Sequence, residues 1–183
     1  MKELIHKIHK QQLKTFCLFS QFYKVKEHYT VLPRKHRGLY WLWTNLDFQT
    51  LKTATPRENT KEVPIDKLVT LREDLNNIAR VEKDGFKIVY NGIGGYKKTP
   101  ANFGLRERIN QEINCNDHRT GTLNIINRNF KPENWAVTFF DFDDPNNQNI
   151  LKALNSNNTY IDYAKDLEMI WRLEFGTPIL CRH

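Results

Sequence analysis

The sequence predicts a mixed α/β protein, an α+β sandwich with a sheet flanked by helices. Three stretches rich in β-formers, GLYWLWTNL (38–46), FKIVYNGIG (86–94) and WAVTFFDF (135–142), alternate with stretches whose apolar residues recur at helical spacing. At 183 residues and 39% hydrophobic, the chain can build one compact domain with a core but not two large ones. Aromatics at 12% exclude a disordered chain, and no internal repeat is present.

In chain order, residues 3–24 place Ile5, Ile8, Phe16 and Phe19 at helical spacing with lysines between them, which predicts a basic amphipathic helix. A basic linker marked by Pro33 leads to the first strand, which Asn45 and Asp47 end. Residues 47–63 are polar with a proline inside, as expected of a loop. Residues 64–83 open with Pro64 and continue with Ile65, Leu68, Leu71, Leu75 and Ile78, a helical pattern. The second strand, 86–94, is stopped by its own glycines, and a helix over 102–113 follows with Asn102 as its cap. Residues 115–130 read as a loop with a short helix, and the third strand follows. Helices over 147–155 and 160–175 close the chain.

The net charge of +7 is concentrated at one end. Residues 1–37 carry nine Lys/Arg against two acids, and the remaining 19 basic and 19 acidic residues cancel. A basic end on a neutral body fits a polyanion binder, and equally a solvated surface. Three cysteines without CxxC spacing (Cys17, Cys115, Cys181) speak against a disulfide framework or zinc site and suit a reducing, cytoplasmic setting. The apolar cluster TFCLFSQF (15–22) is too short and too interrupted for a membrane span or signal peptide, so no membrane partner is expected.

No phosphate loop, serine nucleophile elbow or paired-histidine metal motif occurs, and GIGG (92–95) lacks dinucleotide-binding spacing. What remains is a set suited to phosphodiester chemistry: tyrosines on two strands, an arginine on the next helix, a histidine after it and a glutamate in the last helix. In that order GLYWLWT, VYNGIGG, LRER, HRTGTLNIINRNF and LEMIW resemble the GIY-YIG nuclease family over roughly residues 37–181. The resemblance implies a three-stranded antiparallel sheet flanked by helices, here with a basic helical extension at 1–36 and an insertion at about 47–85 of a 37–183 nuclease domain. It assigns catalytic positions to Tyr40, Tyr90, Arg108, His118 and Glu168, with Glu168 holding Mg²⁺ (or Mn²⁺) and Arg108 clamping the scissile phosphate. Two departures are notable: Asn91 stands where the family commonly has an aliphatic residue, and Glu112 stands where a histidine often follows the arginine by four.

The function the resemblance implies is metal-dependent hydrolysis of double-stranded DNA, restriction-like and by a possible homo-oligomer. Lys10, Lys14, Arg34, Lys35, Arg37, Lys97 and Lys98 are the expected DNA contacts. Residue by residue, plainer roles compete: strand tyrosines are usually core, Arg108 can pair with Glu112, and Glu168 with Arg172. A non-catalytic nucleic-acid-binding module on the same fold, a mobile-element or repair-type nuclease, and a partner-binding protein are the rival functions.

Overall fold

The computed structural model describes residues 1–24, 32, 35–55, 61–95, 104–115, 121–154 and 163–182. Its centre is a curled antiparallel sheet. The long strands β2 (Gly38–Thr44), β4 (Phe86–Gly94) and β5 (Trp135–Asp141) are joined by two-residue edge strands, β1 (Cys17–Leu18) and β3 (Glu82–Lys83), in the order β1-β5-β2-β4-β3. The expected three-stranded sheet is therefore corrected to five strands among the described residues. The three long strands are those read from the sequence. A two-residue strand is too short to carry an alternating pattern, so the edges had no signal.

Every residue of β2 and β5 is buried, because helices cover both faces of the sheet. Tyr40 and Leu42 face one layer, with Leu51 of α3 (Phe48–Lys52), Ile65 and Val69 of α4 (Ile65–Arg72) and Ile109 of α5 (Leu105–Ile113). Leu39, Trp41 and Trp43 face the other, with Ile5 and Ile8 of α1 (Lys2–Gln12), Leu151 of α6 (Gln148–Leu151) and Leu167 and Trp171 of α7 (Ala164–Phe175). Period-2 alternation along β2 thus feeds two cores at once.

Several predicted helices end early or break. The pattern over 3–24 divides into α1, a 3₁₀ turn at Leu13–Thr15, β1 and a separate α2 (Phe19–Lys24). The break serves the sheet edge: the Thr15 hydroxyl donates to the Phe139 carbonyl at 3.0 Å and accepts from the Phe139 amide at 2.8 Å. The helix predicted over 64–83 stops at Arg72, and Leu71 and Leu75 are left exposed. The predicted loop after β2 contains α3, capped by the Asp47 carboxylate accepting from the Thr50 amide at 2.6 Å.

The glycines of the two tyrosine motifs are set by backbone clearance. A Cβ on Gly38 would run into the Phe140 carbonyl and the Leu105 side chain, and one on Gly94 into the Leu105 backbone. Helix α5 therefore sits directly on the ends of β2 and β4, and this seats Arg108 and Glu112 over Tyr40.

Candidate functional site

Tyr40 lies in the middle of β2 with its side chain 1% exposed. Its hydroxyl donates to Glu112 Oε1 at 2.8 Å. Glu112 is fully buried; Oε1 also accepts from Arg108 Nη2 at 3.2 Å, and Oε2 accepts from the Leu123 amide at 2.7 Å. A carboxylate this deep is tolerable because donors surround it. Burial still raises its pKa above the ordinary 4.5, against the pull of Arg108, the Leu123 amide and Tyr40. Burial also raises the Tyr40 phenol well above 10, and the neighbouring Glu112 charge adds to the shift. Arg108 is held in its charged form by Tyr40 and Glu112, and Nη1 donates to Gln111 at 2.7 Å.

Tyr90 is on the same face of the sheet, its ring centroid 6.2 Å from that of Tyr40. It differs by lining a cleft of about 250 Å³, together with Asn91, Glu168, Arg172 and Cys181. The cleft forms at the edge of β4, where residues from both sheet faces come within reach. Residues 177–182 follow that edge: the Leu180 amide donates to the Val89 carbonyl at 2.8 Å and the Asn91 amide to Cys181 Sγ at 3.4 Å. Arg182 thereby reaches the cleft, and Lys61 enters it from the segment between α3 and α4.

Glu168 is on α7, where Arg172 Nη2 donates to Oε1 at 2.8 Å. The two side chains are each 18% exposed, and burial raises the Glu168 pKa even though Arg172 opposes the shift. Among the described residues, no group of three His, Cys, Asp or Glu side chains could hold a metal on protein ligands alone. A lone carboxylate facing a cleft is still a known anchor for Mg²⁺, whose other ligands are then water and substrate phosphate oxygens. The residues present therefore fit Mg²⁺ or Mn²⁺ only in company with a phosphate-bearing substrate.

The structure thus separates the expected residues into two adjoining groups. Tyr40 and Arg108 belong to the buried cluster around Glu112, whereas Tyr90 and Glu168 face the cleft. His118, Arg34, Lys97 and Lys98 lie outside the described residues. Of the remaining expected DNA contacts, Lys10, Lys14 and Lys35 are exposed, and Lys14 Nζ donates to Gln11 at 2.9 Å. Arg37 is engaged by Asp143, with Nη2 to Oδ1 at 2.6 Å and Nε to Oδ2 at 3.0 Å. The Arg108–Glu112 and Glu168–Arg172 pairs read from the sequence are present, but the sequence did not show that Glu112 also holds Tyr40 and the Leu123 amide, or that Arg172 also holds Asn91. The signal for Glu112 was a charge between Ile109 and Ile113 on an apolar helix face. Nothing in the sequence pointed to Lys61 or Arg182.

Compared with known proteins, the chain matches no family model, no curated protein and no solved structure.

Proposed function

We propose that the chain is a metal-dependent endonuclease hydrolysing phosphodiester bonds in double-stranded DNA, of the GIY-YIG kind that its motifs resemble. One observation carries this reading. The strand tyrosines, the helix arginine and the late glutamate, far apart in sequence, converge on one cleft and the buried cluster behind it.

In this reading Tyr90 orients water and phosphate in the cleft. The Tyr40 phenol is too weakly acidic to act as a phenolate near neutral pH. It serves instead by passing its own proton to Glu112 as it accepts one from the attacking water, a step that requires substrate binding to admit that water to a hydroxyl buried behind the cleft. Arg108 opposes the upward shift that burial imposes on Glu112 and so favours the ionised form that can accept the proton. Glu168 holds the Mg²⁺ (or Mn²⁺), which when bound supplies charge neutralisation for the phosphate and the leaving oxygen. The basic residues at 1–37 add sequence-independent attraction to DNA.

The test is plasmid and genomic DNA cleavage with Mg²⁺ and with chelator, for wild type, Glu168→Ala and Arg106→Ala. Wild type and Arg106→Ala are expected to give discrete fragments, and Glu168→Ala to lose at least about 100-fold in rate. Cleavage by Glu168→Ala at the wild-type rate would remove the proposed metal anchor. A second reading, a non-catalytic nucleic-acid-binding module, is favoured by the Glu168–Arg172 pair, which already engages one oxygen of the carboxylate. It predicts salt-sensitive DNA binding and no cleavage with any divalent metal.

A further inference from the structure

Asn91 is a polar residue in the middle of β4, 2% exposed. Burying an amide there is unfavourable unless its hydrogen bonds are made. Its Oδ1 accepts from Arg172 Nε at 2.9 Å and from Cys181 Sγ at 3.1 Å. Because Nε is tied to the sheet, the guanidinium is anchored at its base, and the Nη2 group that reaches Glu168 lies toward the cleft. A fork anchored in this way can exchange the partner of its outer nitrogens without losing its place.

The company Arg172 keeps is also cationic. Lys61 and Arg182 line the same cleft, so among the described residues that line it there are three cations and one carboxylate, that of Glu168. Arg182 is itself placed by donating to the Glu62 carbonyl. The arginine expected to clamp phosphate, Arg108, instead directs both terminal nitrogens to residues of its own helix, Gln111 and Glu112.

We propose that Arg172, with Lys61 and Arg182, forms a phosphate-binding subsite that receives a phosphodiester of the nucleic-acid backbone beside Glu168. The assignment rests on the endonuclease reading for its ligand. It also accounts for Asn91, whose buried amide positions the guanidinium. An incoming phosphate oxygen competes with Glu168 for Arg172 Nη2, so that substrate and a free carboxylate arrive together.

The experiment measures binding of a fluorescent DNA duplex by anisotropy in chelator, over a range of salt, with melting temperatures read alongside. Arg172→Gln should weaken binding about tenfold, and it and the Lys61→Ala/Arg182→Ala double variant should flatten the salt dependence by about one unit of slope per charge removed. Asn91→Leu keeps every charge, so affinity should fall while the slope stays. Wild-type affinity and slope in both Arg172→Gln and the double variant would overturn the subsite. If wild type then still cleaves plasmid with Mg²⁺, the endonuclease reading stands without it. A parallel titration with pyrophosphate by calorimetry separates the two sources of phosphate. Arg172-dependent pyrophosphate binding without duplex binding or cleavage would retain the anion site and overturn its assignment to nucleic acid.

Discussion

Glu112 has a role that its neighbours define. Its carboxylate accepts from a phenol, a guanidinium and a backbone amide, and burial nonetheless lifts its pKa above the ordinary 4.5. If Glu112 is the proton acceptor, only its ionised form works, and cleavage should rise with pH through an acid limb placed above the ordinary carboxylate range. Glu112→Gln should lower kcat about 100-fold or more and erase that limb, which a kcat–pH profile will read directly. An unchanged acid limb in the variant would assign the titration to another group. Gly92→Ala is the steric counterpart: a Cβ there meets the Tyr40 hydroxyl at 2.5 Å. It should disturb the Tyr40–Glu112 bond and reduce cleavage more than it reduces melting temperature. At this scale the sequence placed Tyr40 and Tyr90 on strands and Glu168 on the last helix, where the structure has them. It was silent for Lys61 and Arg182, which depend on how an insertion and a C-terminal segment fold back on a strand edge.

At the level of elements, the three long strands were legible because each carries a run of β-branched and aromatic residues, from Gly38, Phe86 and Trp135 onward. The helices were read too long. Leu75 and Ile78 continue an apolar pattern past Arg72, yet the chain turns there because Arg72 is drawn to the Ile179 and Cys181 carbonyls of the C-terminal segment. That contact lies more than a hundred residues away in sequence, beyond any local window. Thr15 shows the same limit: it reads as one more polar helix residue, but its hydroxyl closes the edge of β5 at Phe139. Thr15→Val removes a donor and an acceptor while keeping the shape. It should cost about 1–3 kcal/mol in urea unfolding, since it leaves the Phe139 amide and carbonyl without this partner. A variant as stable as wild type would show that water serves that edge equally well.

Across the whole molecule, α1 is tied to α7 through His9, and this tie senses acid. His9 Nδ1 accepts from the Trp171 indole N–H at 3.3 Å and lies 3.1 Å from Gln12 Nε2, so the ring is held neutral. Burial lowers its pKa from 6.5 to about 4. Between these values the unfolded chain binds a proton that the folded one refuses. The stabilisation is therefore intact above pH 6.5 and falls as the pH drops toward about 4. Melting temperatures measured across that window should decline for wild type and decline less steeply for His9→Gln.

The glycines of the two tyrosine motifs carry one more consequence. Gly38 and Gly94 leave room for the Leu105 turn of α5, and Gly92 leaves room for a tyrosine hydroxyl. None of the three bears a reacting group. A side chain at Gly38 or Gly94 would push α5 off the strands whatever residue stands at position 168, so that clearance belongs to the architecture and not to any chemistry at the cleft.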